Sequence, residues 1–452
     1  MARVAILGGG LAGLAAAAAL GGSGFEVDLY EARPFLGGRA TSWPVPSGNA
    51  GAEGGEGEDQ VKAEMIDNCQ HVLLRCCVNL LDLYRRLGAE DKVHFYREFF
   101  FIEPGGRTST LKRGILPAPA HFAGSFLKLK FLGIADKISI ARAVRAIPKE
   151  RLSRRDLDRI SMLDWLREMR QTTRAIERYW RQVLVSAVNE ELDQMAAAHG
   201  FQVFWLGMIA RADSYEMGIP AVPLRELYDQ AALTRSGNIR IYDRAAVTKI
   251  DAAEGSILGI EAGGRRTAAD YYISCLPFER LRTLMPDLPV QWDAFQHSPI
   301  TGIHLWFDRS VTDLPHATLL DRNVQWMFNK REGRYLQFVV SASRSFVEMP
   351  RSEVIDLTLR EAAEFFPAIR EAKLERAQVI KEVRATFSAR PGLEQLRPGA
   401  ATLFGNFFLG GDWTRSGWPA TMEGAVRSGY IAAEAVARRA GMTTRFLLPD
   451  IA

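Results

Sequence analysis

The stretch MIDNCQHVLLRCC, residues 65–77, gathers three of the chain's four cysteines with Asp67 and His71. Thiols, an imidazole and a carboxylate are the donor set of a metal centre or a redox pair, and both demand particular spacings. Cys69, His71, Cys76 and Cys77 lack the paired C-x-x-C spacing of structural zinc, and no second ligand pair follows. Adjacent Cys76 and Cys77 would have to close a strained ring and would not behave as a C-x-x-C dithiol. Placed on a helix, Leu73, Cys76, Cys77 and Leu80 share one face, so the two thiols read as small packing residues. No metal is expected.

The other chemical pattern opens the chain. Gly8, Gly10 and Gly13 form G-x-G-x-x-G between the apolar run Val4–Leu7 and an alanine-rich segment reaching about Leu20. The first glycine allows a tight turn, and the second lets backbone approach a pyrophosphate. The third lets helix and strand pack closely, with the phosphates at the helix N-terminus beside Leu11 and Ala12. A second strand pattern, FEVDLYEA, ends at Glu31, whose carboxylate suits a ribose diol and disfavours a 2′-phosphate. These residues specify a dinucleotide site and leave NAD and FAD both open.

The elements that must position these groups follow from the rest of the chain. With 452 residues, 47% of them hydrophobic, there is material for two or three domains. A net charge of +4 with no clustered recognition module does not suggest a nucleic-acid partner. Four cysteines form no disulfide framework, which points to a reducing cytoplasm. Arg3 followed by VAILGGGLAGLAAAAAL imitates a signal peptide but reads better as strand, turn and helix. No uncharged apolar run of bilayer length occurs later. Residues 46–60, rich in Gly, Glu and Ser, read as a mobile surface loop. Residues 71–88 look helical with Gly88 as C-cap, and the pattern from about 90 to 225 is mostly helical. Within it, 128–159 carries ten Lys/Arg against four Asp/Glu. That region is either a solvated hairpin or a basic amphipathic face resting on anionic lipid. Strand patterns return from NIRIYDRAAVTKIDA through RYLQFVVSAS, and the chain closes as strand, loop and long helix.

The choice between NAD and FAD is made by a resemblance. EARPFLGGRA, Glu31–Ala40, resembles the G-G-R element of the flavin amine oxidase and carotenoid desaturase superfamily, and GGDWTRSGWPATMEGAVRSG, 410–429, matches its closing motif. The resemblance implies FAD. It also implies cofactor contacts from Glu31, Ala32, Arg33, Gly38, Arg39, Ala40, Val247, Gly411 and Asp412. The helix start Met422–Glu423–Gly424–Ala425 would aim backbone N–H groups at the flavin, favouring its anionic reduced form. The two chain ends must then meet around one cofactor.

DNCQHVLLRC further resembles the equivalent stretch of bacterial hydroxysqualene dehydroxylases, as do YWRQVLVSAVNEE, HSPITGIHLWFDR and VQWMFNK. Cys69 and Arg75 depart from that family's usual glycines. This resemblance implies reductive loss of the hydroxyl of hydroxysqualene to give squalene, with hydride from reduced FAD, in a dry pocket with aromatic faces. Asp67 and His71 are the candidate acids. Asp67, Asn68, Gln70 and His71 either line the active site or hold the loop by hydrogen bonds. Trp180, Trp205, Trp306, Trp326 and Phe328 are either substrate-lining or core. An oxidative relative (a carotenoid-type desaturase or amine oxidase) and a non-catalytic flavin scaffold are the rival readings. With one G-x-G-x-x-G, the electron donor is not specified. The product's lipid solubility favours peripheral contact through 128–159 with the inner face of the cytoplasmic membrane.

The expected architecture is α/β. A discontinuous Rossmann-type FAD-binding domain (1–90, 225–290, 395–442) is joined to an α+β substrate domain, with a helical part at 91–224 and an antiparallel sheet at 291–394.

Overall fold

A computed structural model describes residues 1–45, 64–235 and 237–451. The loop expected at 46–60 lies outside the described residues. Strand Arg3–Leu7 is the centre of a five-stranded parallel sheet, flanked by Glu26–Tyr30 and then Ile239–Tyr242 on one side, and by Tyr271–Ser274 and then Phe407–Leu409 on the other. Val4–Leu7 is completely buried, the pattern of a parallel strand covered on both faces. The sheet therefore draws its strands from the start, the middle and the end of the chain.

Helix Leu11–Gly21 is buried along its whole length, pressed between this sheet and helix Met422–Arg439. Its alanines let the two helices touch closely. A Cβ on Gly429 would sit 2.1 Å from the carbonyl oxygen of Ala12, so only glycine permits that approach. The ends of the chain are packed backbone to backbone.

A second, seven-stranded sheet runs in the order Leu374–Phe387, His297–Phe307, Tyr335–Ser341, Trp326–Arg331, His316–Leu319, Glu98–Ile102, Thr108–Lys112. One face carries Ile303, Leu305, Phe307, Leu336 and Phe338 and is sealed by helix Arg351–Phe365. The other face turns toward the first sheet and the helical region. That region has its own aromatic core, in which Trp165, Trp180, Phe201 and Phe204 meet edge to face or tilted.

Two expectations need correction. Residues 93–112 are strands, not helix: the aromatic run Phe99–Phe101 has β-propensity, and Gly105 and Gly106, both at positive φ, make the turn to Thr108–Lys112. The helix expected over 71–88 covers only Val78–Arg86. Leu73–Leu74 instead pairs with strand Met217–Pro220, so helical periodicity there was borrowed from a short strand and a turn.

Candidate functional site

The turn between strand Arg3–Leu7 and its helix is built for backbone approach. Gly8 adopts φ +104°, open to glycine but strained for other residues, and its N–H donates to Tyr30 O at 2.8 Å. A Cβ on Gly13 would lie 2.0 Å from Gly8 O. Gly10 is the helix N-cap and has no side chain to cap with. The N–H groups of Leu11 and Ala12 thus have no intrahelical partner and present a helix N-terminus to an anion.

Glu31 lies against this turn. Its Oε2 accepts from Gly9 N–H at 2.7 Å and its Oε1 from Arg33 N–H at 2.8 Å, across exposed Ala32. The G-G-R element joins the same turn: Gly37 N–H donates to Gly9 O at 2.9 Å, and Ala40 N–H to Gly37 O at 3.1 Å. A Cβ on Gly38 would reach 3.1 Å from Gly10 Cα, and Arg33 Nη1 donates to Gly38 O at 3.2 Å. Ala245 N–H donates to Glu31 O at 2.8 Å, which brings the start of strand Val247–Ala253 alongside. Val247 is buried and its carbonyl is taken by Arg280 Nη2 at 2.9 Å.

The C-terminal motif closes on this group. Arg39 Nη2 forms an ion pair with Asp412 Oδ1 at 2.6 Å, which ties the two ends of the chain through their charged residues. Gly411, at φ +111°, donates its N–H to Ser428 Oγ at 2.9 Å. Thr421 caps the long helix, its Oγ1 accepting from Gly424 N–H at 3.0 Å and its carbonyl from Ala425 N–H at 2.9 Å. Of the four residues expected to donate, only Met422 and Glu423 therefore keep N–H groups without an intrahelical partner.

The Glu423 carboxylate does not face this space. It is fully buried and accepts from Asn79 N–H, Asn79 Nδ2 and Leu80 N–H at 3.2, 2.8 and 2.7 Å. It caps helix Val78–Arg86 from the neighbouring element, and burial pushes its pKa up to about 7. Sequence reading also missed Arg397. This buried guanidinium donates to the carbonyls of Asp412, Thr414 and Trp418 and so shapes the whole C-terminal loop. A lone arginine before Pro398 reads as surface, and no sequence signal marked it.

Loop 67–71 lies on the other side of this space. Asp67 Oδ1 accepts from Ser42 Oγ at 2.8 Å and Leu224 N–H at 3.0 Å, while Oδ2 pairs with Lys330 Nζ at 3.2 Å. Both oxygens are engaged as acceptors, so Asp67 anchors the loop. Asn68 Nδ2 donates to Arg39 O at 3.1 Å and Glu382 Oε2 at 3.2 Å, which sets the loop directly against the G-G-R element. His71 is held by its Nδ1 contact to Cys69 O at 2.8 Å, and burial lowers its pKa. Cys69 is not among the residues at positive φ, so the loop does not need the glycine usual there. Arg75 pairs with Glu216 and stacks 3.9 Å over Phe95. Cys76 packs with Leu206 and Trp418.

The inner face of the seven-stranded sheet completes the site. Trp306 stacks on Tyr335 at 4.4 Å, and Trp326 on Phe328 at 5.6 Å. Phe328 and Val339 pack against Cys69 of the loop. Three of the five proposed lining aromatics thus share one sheet face, Trp306 in a cluster with Tyr335 and Ile66, and Trp326 with Phe328 beside Cys69. Trp180 is not with them: it is fully buried in the helical core, its Nε1 bonded to Gln171 Oε1 at 2.8 Å. Trp205 also stands apart, with Arg151 stacked 4.0 Å over its ring. Their flanking residues share the apolar helical spacing of core positions, which sequence alone cannot separate from a lining position.

The family model described as flavin containing amine oxidoreductase matches residues 11–437. The chain belongs to that family. The zeta-carotene desaturase of Synechocystis sp. is 26% identical, with 98% of this chain and 99% of that protein covered. The 15-cis-phytoene desaturase of Synechococcus elongatus is 26% identical, covering 97% and 96%. Among solved structures, an oxidoreductase from Methanosarcina mazei superposes with TM-score 0.70 at 18% identity over 94% of this chain and 98% of that one. A putrescine oxidase bound to putrescine gives 0.67 at 16% identity over 97% and 99%. These two relatives are named as desaturases and not as hydroxysqualene dehydroxylases.

This flavin oxidoreductase uses FAD, and its own residues fit that group. Two helix N-termini carry unpartnered N–H groups, a carboxylate closes the second strand, and Gly8 and Gly13 stand where a Cβ would lie 3.0 and 2.0 Å from a backbone oxygen. Arg39 and Asp412 bridge the halves of the cradle.

Proposed function

We propose that this flavoenzyme reductively removes the hydroxyl of hydroxysqualene, giving squalene, in bacterial squalene and hopanoid synthesis. The observation that carries the reading is the loop Asp67–Asn68–Cys69–Gln70–His71. It has the sequence resemblance to the dehydroxylases, and it lies between the G-G-R element and the aromatic face of Trp306, Trp326 and Phe328. Bound reduced FAD supplies hydride. The chain supplies the rest: Arg39, Asp412 and the helix ends would hold the cofactor, Asp67 and Lys330 fix the loop, His71 is the candidate that protonates the hydroxyl so that it leaves as water, and the aromatic face shields the carbon that takes the hydride.

A second reading is oxidative desaturation of a carotene-like hydrocarbon. It is favoured by full-length similarity to proteins named zeta-carotene and phytoene desaturases.

Contact with a membrane is part of the proposal. No helix among the described residues is long and apolar enough to cross a membrane. Ile115, Leu116, Leu127, Ile134 and Ile138 are exposed beside exposed Lys128 and Lys130, the mixture that rests on an anionic lipid surface. The test is anaerobic. Hydroxysqualene should reoxidise the photoreduced enzyme with squalene appearing in stoichiometric amount. Bleaching of the oxidised enzyme by phytoene, with no response to hydroxysqualene, would replace this reading with the desaturase.

A further inference from the structure

One row of side chains on the inner face of the seven-stranded sheet is polar where its surroundings are apolar. Strand register sets His304 opposite Gln337, Gln337 opposite Phe328, and Phe328 opposite His316. The four residues stand side by side across four strands, and Thr318 follows His316 two residues on, along the same face. His304, Gln337 and His316 are completely buried and Thr318 is 1% exposed. Among the described residues, no hydrogen-bond partner reaches Nε2 of His304, either amide atom of Gln337, either ring nitrogen of His316, or Oγ1 of Thr318.

Buried donors and acceptors in native proteins are nearly always paired, and an unpaired one costs more than the bond it forgoes. His304 Nε2 and the Gln337 amide stand on adjacent strands, about 5 Å apart and within reach of one guest group, whereas His316 and Thr318 lie beyond Phe328. The opposite face of the same strands presents Ile303, Leu336, Phe338, Met327 and Ala317, all packed and apolar. The polar set is therefore confined to the face that meets loop 67–71. A Cβ on Gly302 would lie 3.4 Å from Asn68 O and 3.7 Å from His304 Nε2, so this imidazole is turned toward that loop. Tyr335 Oη, 2.7 Å from Nδ1, fixes the ring. At the other end, His316 is walled by Tyr96, Phe100 and Trp326.

We propose that the His304–Gln337 end of this row, the end that faces loop 67–71, binds the hydroxyl of a long isoprenoid alcohol and so distinguishes an oxygenated chain from a plain hydrocarbon. The proposal rests on the reading of the site as an isoprenoid flavoenzyme. A hydroxyl donates one hydrogen bond and accepts others. A primary amide and a neutral imidazole each offer a donor and an acceptor. Burial holds His304 down at about 3 and His316 down at about 4, so both rings are neutral near pH 7. A hydrocarbon brings no atom that could satisfy any of them.

Hydroxysqualene and squalene form a matched pair of probes, titrated into the oxidised FAD-loaded enzyme and read by perturbation of the flavin spectrum. The alcohol should bind about 10-fold more tightly or better. Gln337→Met should bring the two affinities together without lowering Tm, because an unpaired amide has been replaced by an apolar side chain of similar volume. His304→Phe, which removes the Nε2 beside Gln337, should narrow the difference several-fold and decides the matter if the first variant does not fold. Equal affinities in the unaltered enzyme, with the row hydrated by water, would overturn the proposal. So would undiminished discrimination in a folded variant. Discrimination in binding with no squalene formed by the reduced enzyme would remove the proposed function and leave this row standing. Squalene formed without discrimination would do the reverse.

Discussion

The cofactor cradle and the inner face of the seven-stranded sheet border one space but are made in different ways. The cradle is made of backbone: Gly8, Gly10 and Gly13 clear the way, and helix N–H groups point into it. The sheet face is made of side chains whose neighbours are set by strand register, as His304, Gln337, Phe328 and His316 are. Backbone sites need particular residue types at fixed short spacings, so they are intolerant of substitution. A side-chain face needs only compatible shapes, so it can change selectivity at little cost in stability.

The largest effect is expected at Arg397. Arg397→Met would leave the carbonyls of Asp412, Thr414 and Trp418 without their donor. Removing one partner from such a buried charged network costs about 3–5 kcal/mol. The purified variant should have lost FAD, measured as the ratio of flavin to protein absorbance, and its Tm should fall. Gly13→Ala comes next. Its Cβ would meet Gly8 O at 2.0 Å, an overpacking of about 3 kcal/mol, and FAD should again be lost. Retention of FAD by both variants would dissolve the contrast, because the cradle would then be as tolerant as the face.

The same contrast explains what could be read from the sequence. Gly8, Gly10, Gly13, Glu31, Arg39 and Asp412 were legible because their chemistry lies in local spacing, and the structure brings all of them together. The parallel sheet was legible because buried parallel strands are continuous apolar runs. The polar row was not, because His304 and Gln337 become neighbours only when two strands pair in one register. One trace was present in the sequence: TGIHLWF and RYLQFVV each place a single polar residue inside an apolar strand. Arg397 was illegible because a buried arginine is indistinguishable from a surface one until its acceptors are known. The role of the Glu423 side chain was illegible for a related reason. Its motif position puts it at a helix start, yet its side chain serves the start of another helix, Val78–Arg86.

Glu423 also gives a prediction with a pH sign. Its folded pKa is raised to about 7 by burial, above the usual carboxylate value. The stabilisation from the protonated group is complete below the unfolded pKa and is lost as pH rises through the folded one. Over that window the change is up to roughly 3 kcal/mol. Glu423→Gln cannot titrate, so the wild type's advantage over it should be widest near pH 4.5 and narrow by pH 8. Denaturant melts of both proteins at these two pH values measure the gap. A gap that widens with pH would mean that the charged form is the one the fold prefers, with the three N–H donors outweighing burial.

The smallest effect separates lining from core among the tryptophans. Trp326 Nε1 donates to Ser186 Oγ at 2.6 Å, and Trp180 Nε1 to Gln171 Oε1 at 2.8 Å. Substitution by Phe removes one hydrogen bond in each case, about 1 kcal/mol, and at fully buried Trp180 it also leaves a cavity, so Trp180→Phe should lose more stability. Their kinetics should differ. Trp326 lies on the same face as Phe328 and the row beside it, whereas Trp180 is enclosed by Trp165, Tyr179 and Phe204. Trp326→Phe should raise KM for the isoprenoid several-fold, and Trp180→Phe should leave KM alone. Equal shifts in KM would mean that the helical core transmits its packing to the site, and the division between a rigid cradle and an adaptable face would have to be redrawn to include it.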